Sequence, residues 1–123
     1  MKESMTFSPP NSLILVMDHA IGVLPDQITA ELVAITDTCL AIGTLSASDG
    51  ETTVTLTDDL DGLEVGKVVF DGALSTPNHE LSVSNVLNQK LLTMPVATHL
   101  TKVKVFANDV SEPDQIVIFV KGS

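Results

Sequence analysis

Apolar residues in this chain come in short runs and in alternation, and both patterns predict strands. Ser12–Asp18 (SLILVMD) is an apolar run of strand length with no polar face, as expected of a strand buried on both sides. His19–Leu24 extends that strand past a bend at Gly22. Leu40–Leu45 leads into Ser48-Asp49-Gly50, and beyond it Val54 and Leu56 alternate with threonines. Asp-Gly between two alternating runs predicts a β-hairpin with a type I′ turn, because glycine accepts the positive φ that the turn requires. Val65–Asp71 (VGKVVFD) reads as a strand, with Asp71-Gly72 as a turn or bulge before Ala73-Leu74. A turn at Ser75–Asn78 precedes a short strand at Leu81–Val83. Lys102–Ala107 (KVKVFA) alternates lysine with apolar residues, the pattern of an exposed strand guarded by charge. Gln115–Val120 (QIVIFV) is the most hydrophobic segment and is expected to be a central strand that closes the domain.

The segments between these runs are less regular. Residues 1–11, ending in Pro9-Pro10-Asn11, read as a flexible N-terminal arm. Pro25–Asp37 is expected to hold a short helix, capped by Asp26, with Ile28, Leu32 and Ile35 on one face. Residues 84–95 read as a helical turn or an irregular crossing stopped by Pro95. The sum is seven to eight short strands with at most one or two short helices. That pattern predicts a mainly β fold, an antiparallel β-sandwich, as a single domain over residues 12–123.

Composition sharpens this picture. A chain of 123 residues that is 44% apolar, with a mean hydropathy of +0.33, can bury a core without disulfides or metal. It holds no Trp or Tyr, and Phe7, Phe70, Phe106 and Phe119 are its aromatic residues. Packing must therefore rest on Val, Leu, Ile and Ala. The net charge is −10, and all six basic residues are lysine. Without the planar fork of arginine, and beside a strong negative field, binding to nucleic acid or to an anionic membrane is disfavoured. A basic protein is the partner that such a charge would steer. Cys39 is the lone cysteine, so no intrachain disulfide can form. No stretch reads as a secretory signal or a membrane span, and the cytoplasm is the expected compartment.

Candidate chemistry is sparse. In Thr57-Asp58-Asp59-Leu60-Asp61-Gly62, the residues Asp59, Asp61 and Gly62 fall at the third, fifth and sixth positions of a calcium loop. Threonine at the first position and Val68 at the twelfth break the match, so a solvated turn is expected and no metal is assigned. His19, His79 and His99 are too widely spaced for a short metal motif, and Cys39 beside Leu40 reads as a small buried residue. Asp18-His19 and His79-Glu80 are neighbours that point to opposite faces of a strand, so neither is an acid–base pair. No glycine loop has a phosphate-binding frame, and no cofactor is implied.

Phe70-Asp-Gly72-Ala-Leu74, Thr76-Pro77, Leu81, Val83, Pro95-Val96, Val103-Lys-Val105-Phe106 and Pro113-Asp-Gln-Ile116-Val-Ile118 recur in a characteristic order. Gly43-Thr-Leu45 with Asp49-Gly50 fits the same frame. The order resembles small bacterial β-sandwich proteins related to competence protein J, the inhibitor that pairs with the DNA-entry nuclease. The resemblance implies a sandwich and a nuclease-inhibiting or immunity-like role, and it assigns no site residue. The expectation is therefore a non-enzymatic interaction protein that presents Asp58, Asp59, Asp61 and Glu64 to a basic partner. The alternative is a self-assembling homo-oligomeric subunit.

Overall fold

The computed structural model describes residues 2–24 and 32–121. Among these residues, ten strands form two five-stranded sheets, with no helix beyond a single 3-10 turn at Pro10–Ser12. The strands are β1 (Lys2–Phe7), β2 (Leu13–Met17), β3 (Val33–Ile35), β4 (Cys39–Gly43), β5 (Thr52–Thr57), β6 (Lys67–Ser75), β7 (Glu80–Ser84), β8 (Lys90–Pro95), β9 (Leu100–Ala107) and β10 (Gln115–Lys121). One sheet has the order β1-β5-β10-β9-β6 and the other β3-β4-β2-β7-β8. The molecule is a β-sandwich.

Alternation explains the packing. Ile14, Val16, Leu40 and Ile42 of one sheet meet Val54, Leu56, Val103, Val105, Ile116 and Ile118 of the other in a single buried cluster. The intervening residues of β2 and β4 point outward, yet Leu13, Leu15, Met17, Cys39 and Ala41 form a second buried cluster. β2 is thus covered on both sides, as its unbroken apolar run implied. Ala34 and Val86 pack against this second cluster. β2 and β3 are both antiparallel to β4, so they run the same way and no tight turn can join them. Gly22 sits in their connection against Met17, and Val23 exchanges hydrogen bonds with Thr36 and Thr38.

The first sheet has the same constraint. β10 pairs β5 in parallel and β9 in antiparallel register, and β6 pairs β9 antiparallel. Consequently β5, β10 and β6 all run in one direction. Residues 58–66, which join β5 to β6, must return the length of the sheet across β10 and β9. The inner face is filled by the core, so the crossing lies outside. The outward-facing Phe106 and Val117 are accordingly buried, at 7% and 8% exposure. Leu60 and Leu63 in the crossing are half-buried, whereas the acidic residues between and beside them are exposed. The end of the crossing is fixed by Gly66, packed against the backbone of Ala107 and Asn108.

Several expectations change. The sandwich is not wholly antiparallel, since β5 and β10 are parallel. Leu40–Leu45 and Val54–Leu56 do not form a hairpin, because β4 and β5 lie in different sheets. A type I′ turn needs positive φ at both central residues, and Asp49 is not among the non-glycine residues with positive φ. Instead the amide of Asp49 donates to the carbonyl of Ser46. Leu45 N–H bonds Pro113 O and Thr53 N–H bonds Asp114 O, which stitches this inter-sheet passage to the β9–β10 loop.

Residues 2–7 of the expected arm are the edge strand β1, held to β5 by backbone pairing and by hydroxyl pairs Ser4–Thr55 (2.7 Å) and Thr6–Thr53 (2.8 Å). Within the Pro25–Asp37 segment, Val33–Ile35 is a strand paired with β4, in keeping with its β-branched residues. Residues 25–31 lie outside the described residues. β6 runs unbroken through Asp71-Gly72, and its irregularity falls between Val68 and Phe70. The region read as a helical turn or irregular crossing contains β8, which forms a hairpin with β7 and ends at Pro95. β9 lies inside its sheet, so its lysines decorate an outer face and do not guard an edge. β10 is central, as its hydrophobicity implied. No helix among the described residues is long and apolar enough to cross a membrane.

Two measurements follow from this packing. A Cβ on Gly66 would stand 2.2 Å from the Ala107 carbonyl oxygen. Gly66→Ala should therefore lower stability by about 1–3 kcal/mol in urea unfolding, with the β-sheet circular dichroism retained. Cys39 is fully buried, and burial pushes its thiol up to about 11. A disulfide reagent at pH 8 should leave Cys39 unlabelled in the folded protein and label it promptly in denaturant.

Candidate functional surface

The acidic residues singled out in the sequence lie in the β5–β6 crossover. It starts with a local hydroxyl lock. Thr57 donates its Oγ1 hydrogen to the Asp59 carbonyl (2.8 Å), and the Asp59 amide donates to Thr57 Oγ1 (3.0 Å). The Asp61 amide then donates to Asp59 Oδ1 (2.9 Å), and the Leu63 amide bonds the Leu60 carbonyl. Short polar side chains capture backbone donors in this way at turns. The result is a shaped strip on a rigid sheet, with Leu60 and Leu63 turned partly inward and Asp58, Asp59, Asp61 and Glu64 exposed.

The surroundings of this strip were not visible in sequence. Lys2 lines a hollow of about 190 Å³ with Thr57, Asp59 and Asp61. Register places Lys2, Lys102, Lys104 and Lys121 on the same outer sheet face, so four of the six lysines share the face that the acidic strip crosses. Lys104 Nζ stands 5.7 Å from the centre of the Phe106 ring. Lys121 Nζ lies 2.6 Å from Asp71 Oδ1, and Asp71 faces Lys104 across the strand pair. The hydrogen bond from Lys121, together with the charges of Lys121 and Lys104, holds the Asp71 carboxyl below its usual range.

A second acidic loop, residues 108–114 between β9 and β10, carries Asp109, Glu112 and Asp114. The Ser111 amide and hydroxyl donate to Asp109 Oδ1, and these bonds lower that carboxyl too. No group of three or more His, Cys, Asp or Glu converges among the described residues in a way that could hold a metal ion. Exposed carboxylates held by backbone donors can accept hydrogen bonds from cationic side chains. A separate apolar groove of about 400 Å³ opens between the edges of the two sheets, lined by Leu32, Val33, Val68, Val69 and Val110.

No family model matches this sequence, and no curated protein matches it. Solved structures do. One is ComJ from Bacillus subtilis, described as the inhibitor of the DNA degrading activity of NucA. The alignment covers 98% of this chain and 96% of ComJ with a TM-score of 0.72 at 6% identity. The two proteins share a fold. The resemblance noted in the sequence thus holds at the level of architecture. A protein described as crocagin biosynthetic gene J aligns over 96% of this chain and 94% of its own at 12% identity, with a TM-score of 0.48.

The Asp71–Lys121 pair gives a direct test of the surface electrostatics. A depressed carboxyl contributes stability above its unfolded pKa and loses it as pH falls through the lower folded value. Both groups are well exposed, so the contribution is small. Carboxyl NMR titration should show Asp71 with a midpoint below that of an ordinary aspartate. Lys121→Met should move that midpoint up, and an unmoved midpoint would contradict the pairing.

Proposed function

We propose that this protein is a non-enzymatic acidic binding protein that docks Asp58, Asp59, Asp61 and Glu64 on a basic protein surface, and that its partner is a nuclease it inhibits. One observation carries the reading: four exposed carboxyl groups lie on one short crossover that is pinned to a sheet by its own hydrogen bonds and by Gly66. A strip fixed in advance loses little conformational entropy on binding. Enzymes that grip nucleic acid do so with cationic surfaces, which a row of carboxylates can occupy in place of phosphates. The fold shared with ComJ, described as an inhibitor of a nuclease, supports the same reading as an analogy of architecture. The buried, unpaired Cys39 suits a reducing compartment, the cytoplasm.

The test is DNA degradation by nucleases from the native host, and by NucA, with and without the purified protein. The wild type is expected to inhibit one of them. Asp59→Lys with Asp61→Lys should slow association about ten-fold or more at low salt and flatten its salt dependence. Inhibition and association rates untouched by the reversal would remove these residues from the interface. Absence of inhibition of any host nuclease would remove the nuclease itself.

A second reading is self-association, favoured by the apolar groove. Val68 and Val110 are 50% and 59% exposed beside the open edges of β3 and β6. Exposed strand edges next to apolar side chains invite pairing with another chain. A monomer mass by light scattering across a wide concentration range would exclude this reading.

A further inference from the structure

The histidines are scattered in sequence, but the fold brings two of them, His79 and His99, together, while the His19 ring lies 3.0 Å from Ser84 Oγ. His19 follows β2, His79 ends the β6–β7 turn, and His99 precedes β9. The ends are tied together by the buried Asp18 carboxylate, which accepts from the Asn78 amide (2.8 Å) and Asn78 Nδ2 (3.2 Å). His79 and His99 come into ring contact, with centroids 4.8 Å apart and planes at 66°. Their backbones are cross-braced. Thr76 N–H bonds His99 O, Val96 N–H bonds His79 O, and His79 N–H bonds Thr76 O. Thr76 Oγ1 also reaches the Thr98 carbonyl (2.8 Å).

Two further details single out His79. It sits at φ +57°, a left-handed conformation that costs energy for a residue with a side chain and that clusters at functional sites. Its Nδ1 lies 3.2 Å from the Val96 carbonyl oxygen, which can only accept. Nδ1 therefore carries the proton, and the lone pair is left on Nε2. A backbone carbonyl that holds one imidazole nitrogen and frees the other is the usual orienting contact of a metal-binding histidine. Two imidazoles that share a tetrahedral ion at about 2.0–2.1 Å also have ring centres about 5 Å apart, close to the separation seen here.

We propose that His79 and His99 bind one divalent transition-metal ion of the class that includes Zn²⁺, with the remaining coordination positions open to water. Both rings are exposed, so His99 can rotate its nitrogen toward the ion while the braced backbone stays in place. Two protein ligands make an open site, in keeping with the lack of a third His, Cys, Asp or Glu converging there among the described residues. The strongly acidic chain adds long-range attraction for a cation, but hard carboxylate oxygens do not prefer this class of ion as imidazole does.

The experiment is calorimetric titration of the whole protein with Zn²⁺ in a large excess of Mg²⁺, which occupies carboxylates. One Zn²⁺ per chain is expected. His79→Gln and His99→Gln should each weaken binding by about ten-fold or more, with circular dichroism confirming the fold, and His19→Gln should bind as the wild type does. Nitrogen-15 spectra of the imidazoles provide a second readout. His79 should be the Nδ1–H tautomer without metal, and resonances of both rings should shift with Zn²⁺. Absence of binding, or binding that survives both substitutions, would overturn the assignment.

Discussion

The parallel pairing of β5 with β10 is the constraint on which the rest of this structure depends. It places the last strand between β5 and β9 and sets β5, β10 and β6 running in one direction. A strand cannot lead into another of the same direction by a tight turn. The β5–β6 connection must therefore cross the sheet, and the crossing shields Phe106 and Val117 on what would otherwise be a solvent face. The acidic strip is a by-product of that crossing. Its polar side faces outward because Leu60 and Leu63 serve the buried side. On the other sheet, Leu15, Met17, Cys39 and Ala41 are likewise buried outside the main core.

Charge is distributed with the same logic. The acidic excess sits in connections, while four lysines stand on the regular strands beneath the crossover. The face is mixed in sign although the chain as a whole is strongly acidic. A partner that meets this face encounters a carboxylate ridge beside a lysine ledge. Such an arrangement selects for one orientation more than it adds raw affinity.

Much of the sandwich was legible because its core strands carry strong local patterns. SLILVMD and QIVIFV are continuous apolar runs, and both proved to be interior strands. The acidic segment stood out by charge alone, and its exposure followed. What stayed hidden was pairing. Asp49-Gly50 has the composition of a hairpin turn, but Ser46, Pro113 and Asp114 capture the backbone groups around it and send the chain to the other sheet. KESMTF offered no apolar stripe because β1 is an edge strand that exchanges serine and threonine hydroxyls with β5. Lys2 consequently reaches the acidic strip from far away in sequence, as His99 reaches His79. Contacts of this kind depend on topology, and local propensity does not encode them.

The position of β10 also bears on how the chain reaches this state. The sheet β3-β4-β2-β7-β8 draws only on residues 13–95, so every strand of it precedes β9 and β10 in sequence. The other sheet joins residues 2–7, 52–57 and 115–121 as neighbouring strands, with β10 at its centre. Until β10 arrives, β5 has one unpaired flank, and Val54 and Leu56 lack their neighbours Ile116 and Ile118. Long-range strand pairing of this kind slows folding and leaves sticky edges exposed meanwhile. The sheet built from residues 13–95 can therefore be complete while the other still lacks β10, and that interval is when the fold is most vulnerable to aggregation.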